Sequence, residues 1–198
     1  MPYHLPMRTI DELEAAYAAR PPAPHDAGTV RLLCVRIGDG IHETPEAVEI
    51  TARHGLSGDR WAHRKPGTDP DGATAVTLMN VGVAETVGAG ELPLDAPGDN
   101  LVVDLDIGVD ALPAGSRLGI GEAILRVSEQ PHTGCATFSG KFGLDALKWV
   151  STPEGKRRRL RGVNCSVERP GIVRVGDRVD VISRPSPAPE PTEATALS

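Results

Sequence analysis

Short strand-like runs follow one another along most of this chain, and glycine or proline separates many neighbouring pairs. The 22 glycines and 18 prolines among 198 residues favour many turns and short elements over long helices. This spacing is typical of an all-β or β-rich domain, and a barrel leaves no unprotected edge strand. The sequence therefore predicts a β-barrel with a few peripheral α-helices. The strand-like runs are 29–37, 47–51, 75–79, 100–106, 117–120, 122–128, 163–168, 172–175 and 178–183.

Three segments make up the predicted domain organisation. Residues 1–28 contain an N-terminal helix and a linker, because Thr9 and Glu12 have the spacing of a capping box and two prolines follow the helix. Residues 29–183 form the barrel domain. Residues 184–198 are rich in proline, alanine and glutamate without periodicity, so this tail is expected to be disordered.

Two further helices are expected within the barrel domain. Asn80 is placed to cap a short helix that ends at Val87. A second helix, capped by Thr137 or Ser139, extends to Val150.

The charge and the cysteines limit the classes of function. A net charge of −6 argues against general nucleic-acid binding. No apolar run is long enough to cross a membrane, and the N-terminus lacks the layout of a signal peptide. Cys34, Cys135 and Cys165 are far apart and odd in number, which argues for a reducing compartment. We therefore expect a cytoplasmic protein without a membrane or nucleic-acid partner.

The turn after the strand at 122–128 contains the strongest candidate for chemistry. Pro131 cannot continue a strand ladder, and Gly134 permits backbone angles that are closed to other residues. The chain should therefore turn sharply and present Cys135 at the rim of a sheet. A thiolate is both a nucleophile and a soft metal ligand, and a following helix favours it. His132 would lower the thiol pKa further if its ring lies close, so Cys135 and His132 are the predicted catalytic pair.

Plainer alternatives exist for this pair. In these alternatives, Cys135 is a small half-buried cysteine in a turn, and His132 is a turn residue bonded to the backbone. The pair also has the spacing of half a zinc site, but no second pair accompanies it. A cysteine–histidine hydrolase would need an orienting residue and an oxyanion hole, and the sequence identifies neither.

Two cationic stretches are candidates for binding an anionic group. Arg60, His63 and Arg64 follow a glycine-punctuated loop, a combination that suits phosphate. The alternative is a solvated loop anchored by its tryptophan. The second stretch is the basic run 156–159 together with Arg161. Such runs are usually solvated faces, but beside a reactive thiol this one would suit an anionic cofactor.

Four blocks of sequence, taken in order, resemble the MOSC domain, which is named for the C-terminal domain of molybdenum cofactor sulfurases. The first is GLSGDR at 55–60, and the second is GDNL at 98–101. The third, 112–135, leads through a hairpin to the cysteine, and the fourth covers 161–177. The chain is therefore identified as a stand-alone member of the bacterial type.

The resemblance implies a MOSC-like β-barrel and a relation to the molybdenum cofactor, a phosphorylated pyranopterin dithiolene. In the family, the cysteine either carries sulfur as a persulfide or ligates molybdenum, and Cys135 is its counterpart by position. The cationic residues near the first block become candidates for the cofactor phosphate. The candidate cofactor-binding residues are Arg60, His63, Arg64, Asn100 and Arg161.

The resemblance also has consequences for partners. Family sulfurases join this domain to a pyridoxal-phosphate desulfurase domain, for which this chain has no room. A cysteine desulfurase or other sulfur donor would therefore be a separate protein, and no pyridoxal phosphate is expected here. Some stand-alone relatives have a Q-P-R-x-P-C pattern, in which His132 and Gly134 of this chain replace the arginine and the second proline.

Three hypotheses follow. Cys135 ligates molybdenum in an enzyme that reduces N-oxygenated compounds, or it carries a persulfide sulfur to the molybdenum cofactor or to a small molecule. The third hypothesis is a non-catalytic barrel that binds a ligand or partner.

Overall fold

A closed barrel forms the centre of the computed structural model, which describes residues 7–65 and 67–185. Within those residues the chain forms twelve strands and five helices. The strands are β1 (Ala27–Leu33), β2 (Val35–Gly38), β3 (Ile41–Glu43), β4 (Ala47–Thr51), β5 (Gly55–Leu56), β6 (Val76–Asn80), β7 (Leu101–Val103), β8 (Arg117–Ile120), β9 (Ala123–Val127), β10 (Val163–Arg169), β11 (Gly171–Arg174) and β12 (Arg178–Ser183). The helices are α1 (Ile10–Ala18), α2 (Val81–Val87), α3 (Ala136–Phe142), α4 (Leu144–Ser151) and α5 (Pro153–Arg157).

The barrel has the strand order β1-β12-β8-β9-β10-β6-β7, and β7 pairs with β1 to close it. Its neighbouring strands are antiparallel except for β6 and β7, which are parallel. All five residues of β6 are buried. Val76 and Leu78 belong to the larger apolar cluster and Met79 belongs to a second one, so this strand contributes to both. The predicted β-rich barrel with peripheral helices is confirmed.

The second apolar cluster packs the helices onto the outside of the barrel. It contains Leu13 of α1, Phe138 of α3 and Trp149 of α4. Thr9 and Glu12 form the predicted capping box at the start of α1. Over the described ranges, every helix is too short or too polar to cross a bilayer.

Several boundaries differ from the predictions. The run 29–37 is divided at Cys34, whose amide donates to the Asn100 carbonyl at 2.8 Å. The single helix expected up to Val150 is divided at Gly143, which adopts a φ of 92°. The cap of α3 is Cys135 rather than either predicted residue.

Two more differences lie near the C-terminal part of the chain. Helix α5 was not predicted, and it begins where Thr152 accepts a hydrogen bond from the Gly155 amide at 2.9 Å. Apart from Arg184 and Pro185, the tail expected to be disordered lies outside the described residues.

Candidate functional site

Cys135 is exposed where the turn after β9 ends and α3 begins. Its backbone is extended, with φ −127° and ψ 176°, and its carbonyl accepts a hydrogen bond from the Ser139 amide at 3.1 Å. The preceding Gly134 has no positive φ, in contrast to the prediction. A Cβ atom at Gly134 would lie 2.4 Å from Cδ1 of Leu147 in α4, so the end of the Leu147 side chain would have to move to make room. The turn before Cys135 therefore packs against α4.

The surroundings of Cys135 favour its thiolate. The backbone amide of Phe138 lowers the pKa of the Cys135 thiol most, and the charge of Arg161 acts in the same direction, while partial burial opposes them. Cys34 and Cys165 are buried, and burial raises the pKa of each to about 12. Of the three cysteines, Cys135 alone combines exposure with a lowered thiol pKa.

A buried polar cluster lies beside α3. Nη1 of Arg161 donates a hydrogen bond to Oδ2 of Asp99 at 2.7 Å, and the Asp99 side chain is 0% exposed. Nδ1 of His132 lies 3.3 Å from Oδ1 of Asp99, although the two atoms do not form a well-aligned hydrogen bond. The guanidinium carbon of Arg161 lies 5.1 Å from the ring centre of Phe138. Arg161 thus connects Asp99 to the helix that supports the Cys135 thiolate.

His132 is neutral at neutral pH. Its pKa is lowered to about 4, chiefly by burial and also by the charges of Arg161 and Arg36, against the opposing effect of Asp99. Arg161 therefore supplies the positive charge beside Cys135 that the sequence suggested for His132.

A second buried network, formed by Arg36, Asp59 and Asn100, lies next to this cluster. Asp59 accepts hydrogen bonds of 2.9 Å from the backbone amide, Nε and Nη2 of Arg36. Burial opposes ionisation of Asp59, but the hydrogen bonds and charge of Arg36 lower its pKa. Sequence reasoning did not identify Arg36 at all. Asp59 lies within the GLSGDR block, which is the only local sign of its importance.

Asn100, predicted as a cofactor contact, belongs to this second network and is 0% exposed. Its Nδ2 donates to the Cys34 carbonyl at 3.1 Å and to Oδ2 of Asp59 at 2.9 Å. Its Oδ1 accepts from Nη2 of Arg36 at 3.0 Å and from the Thr77 amide at 3.1 Å. Both ends of the Asn100 amide are therefore engaged within the protein.

The three cationic residues of the predicted phosphate loop occupy a short 3-10 turn and its end. Nη1 of Arg60 lies 2.7 Å from Oδ1 of Asp39, and His63 is exposed. The Arg64 guanidinium carbon stacks 3.2 Å from the ring centre of Trp61. None of these three cations lines the cavity next to Cys135.

That cavity has a volume of about 410 Å³ and is open to solvent on one side. The turn before Cys135 forms one wall, from Ser128 to Gly134, and α5 with the segment after it forms another. Lys156, Arg159 and Arg161 contribute three cationic side chains to it. The structure thus brings Arg161 and part of the basic run together at one cavity, whose wall ends at Gly134, the residue before Cys135.

A second cavity, of about 700 Å³, touches α3 through Thr137, Gly140 and Lys141. In its wall, Nδ1 of His42 lies 3.2 Å from Oδ2 of Asp95. Gly134, directly before Cys135 in the sequence, lines the first cavity, and Thr137, two residues after Cys135, lines the second. Throughout the described ranges, no group of three or more His, Cys, Asp or Glu side chains is arranged to hold a metal ion.

Comparisons with known proteins agree with this architecture. The family description "MOSC domain" matches residues 75–180. The YuaD protein from Bacillus subtilis is 18% identical, with a TM-score of 0.58 over 77% of this chain and 94% of that chain. YiiM from Escherichia coli is 22% identical, with a TM-score of 0.53 over 80% of this chain and 72% of that chain. At these identities the solved structures establish a shared fold. No curated protein matches the sequence.

Proposed function

Because the chain belongs to the MOSC domain family, which is linked to molybdenum-cofactor chemistry, we propose that it acts through a sulfur atom carried on Cys135. Cys135 accepts this sulfur as a persulfide from a separate donor protein, such as a cysteine desulfurase. It then passes the sulfur to the molybdenum cofactor or to another small molecule. The observation that carries the proposal is the exposed Cys135 thiol with its lowered pKa. In contrast, the other two cysteines are buried, and burial raises their pKa.

The loading step needs only a nucleophilic thiolate. The Cys135 thiolate attacks the outer sulfur of the donor's cysteine persulfide, a new S–S bond forms, and the donor cysteine leaves as a thiolate. The reaction exchanges one S–S bond for another, so no external oxidant or reductant is consumed. The amide of Phe138 and the charge of Arg161 stabilise the attacking thiolate and, in the return step, the leaving Cys135 thiolate.

Intact-mass measurement tests this proposal. After incubation of the full chain with a cysteine desulfurase and L-cysteine, we expect one added sulfur atom, located by peptide mapping on Cys135 and absent from Cys135→Ser. Sulfur that survives in Cys135→Ser overturns the carrier role. Iodoacetamide that alkylates Cys34 or Cys165 as fast as Cys135 would instead favour a non-catalytic, ligand-binding barrel.

Ligation of molybdenum by Cys135, in the reduction of N-oxygenated compounds, is a second candidate function. A thiolate is a soft ligand that suits the metal, and the exposed Cys135 is able to provide it. Arg161 adds charge beside the thiol, and its buried Nε has no partner among the described residues, so of the predicted cofactor contacts it is the one placed to hold an anionic group there. These residues fit the cofactor, which when bound would supply two-electron redox chemistry.

Metal analysis and pterin fluorescence of gently purified protein distinguish the two candidates. Molybdenum ligation predicts stoichiometric metal and pterin, both lost in Cys135→Ser and retained in Lys148→Glu, an exposed control on α4. Protein without either component, but with Cys135 loaded by the desulfurase, supports the carrier function alone.

A further inference from the structure

The cavity next to Cys135 has an excess of positive charge. Its three cationic side chains face a single lining carboxylate, the exposed Glu129. Within the described ranges, Lys156 has no carboxylate partner, and Nη1 of Arg159 donates to the carbonyl oxygens of Ile107 and Leu112 instead. Although Arg161 is paired with the buried Asp99, the cavity keeps an excess of positive charge in a chain whose net charge is −6.

Arg161 also has unused hydrogen-bonding capacity. Its side chain is 10% exposed, and its Nε is buried without a partner among the described residues. The hydrogen bond to Asp99 uses only Nη1. Nη2 also donates to no described residue, so this cavity-lining guanidinium keeps a donor for a bound acceptor. Thr133 and Gly134 also line the cavity, and their backbone amides donate no hydrogen bond to another described backbone group.

These groups suit a compact anion rather than an apolar ligand. Guanidinium, ammonium and free backbone amides are the donors that proteins use for tetrahedral oxyanions. A volume of about 410 Å³ admits such an anion together with the small molecule that carries it. Thr133 and Gly134 directly precede Cys135, and the charge of Arg161 acts on the Cys135 thiol, so an anion held here would lie near that thiol.

The geometry points to an oxyanion-binding subsite in this cavity, formed by Lys156, Arg159 and Arg161, that holds the anionic group of the molecule exchanging sulfur with Cys135. This inference rests on the proposed carrier function and adds the chemical class of its substrate. Two kinds of molecule bring a tetrahedral oxyanion: a thiosulfate-type sulfur donor and a phosphorylated sulfur acceptor.

Thiosulfate would load Cys135 in a balanced step. The Cys135 thiolate attacks the sulfane sulfur, the S–S bond of thiosulfate breaks, and sulfite leaves with the bonding electron pair. Cys135 persulfide and sulfite are the only products, so no further oxidant or reductant is required.

Titration calorimetry with inorganic phosphate and with thiosulfate, at ionic strength held constant with chloride, tests the subsite on the full chain. We expect Lys156→Glu to weaken the binding of both anions about tenfold or more, because a charge-assisted contact becomes a repulsion. Lys148→Glu makes the same charge change outside the cavity, on an exposed lysine paired with Asp145, and should bind as the wild type does.

Failure to bind either anion, or an equal effect of Lys156→Glu and Lys148→Glu, overturns the subsite. If thiosulfate adds sulfur to Cys135 and phosphate inhibits that addition, the subsite serves the sulfur donor. If both anions bind without sulfur addition, it serves a phosphorylated acceptor. Loading of Cys135 by a desulfurase is measured separately, so loss of the subsite and loss of the carrier function give different results.

Discussion

Replacing Arg161 with methionine leaves the Asp99 carboxylate buried without its ionic partner. The Asp99 side chain is 0% exposed and its Oδ2 lies 2.7 Å from Nη1 of Arg161. Removing one member of a buried ion pair costs about 3–5 kcal/mol of unfolding free energy. His132 limits this loss, because its Nδ1 lies 3.3 Å from the other oxygen and its pKa rises once Arg161 is gone. We therefore expect Arg161→Met to lose about 3 kcal/mol, the lower end of that range.

Urea denaturation at neutral pH measures this loss. Asp99→Asn combined with Arg161→Met should recover most of the lost free energy, because neither charge then remains buried without a partner. Arg161→Lys keeps the charge and should fall between the wild type and Arg161→Met. A loss below about 1 kcal/mol, as for exposed ion pairs, would refute the buried cluster as described.

The thiol, the turn and the histidine each give a further prediction. Arg161→Met should raise the Cys135 pKa and shift the pH profile of its alkylation to higher pH; an unchanged profile contradicts the assigned role of Arg161. Gly134→Ala should cost about 1 kcal/mol in urea denaturation, because the end of the Leu147 side chain has to leave its place on α4. Gly140→Ala, in α3 with nothing within 4 Å of the added atom, should instead stabilise by up to ~1 kcal/mol. Stabilisation by both would refute the packing argument. The His132 pKa is about 4 in the folded protein and 6.5 in the unfolded chain, so stability should fall by on the order of 3 kcal/mol as the pH decreases between those values. His132→Asn should remove that part of the pH dependence, and an identical slope in both proteins would contradict it.

Local patterns in the sequence were sufficient for most of the barrel strands. The runs 117–120 and 178–183 coincide with β8 and β12, since each alternates or is bounded by turn residues. The division of the helix at Gly143 was missed, because a helical hydrophobic pattern continues through a glycine whose φ of 92° depends on the packing of two helices. Closure of β1 on β7 likewise depends on a pairing between residues far apart in sequence.

The exposed thiol was predictable because the turn residues before Cys135 act locally. The groups that tune the thiol were harder to identify, since Arg161 and Asp99 are 62 positions apart and Arg36 and Asp59 are 23 apart. Such pairs leave no periodic trace in the sequence, and an arginine in a strand looks the same whether it faces solvent or a buried carboxylate. Only the folded chain distinguishes Arg36 and Arg161, which pair with buried carboxylates, from Arg60, whose partner Asp39 is exposed.

The departure of this chain from its stand-alone relatives has a physical explanation in the same cluster. Where those relatives have an arginine, His132 lies beside Asp99 with the charges of Arg161 and Arg36 acting on it. A third guanidinium there would share the single carboxylate of Asp99 with Arg161 and repel both neighbours. The neutral His132 ring avoids that repulsion, while Arg161 keeps a positive charge beside Cys135. The charge that the sequence shows as lost before the cysteine is thus provided from the segment that leads into β10.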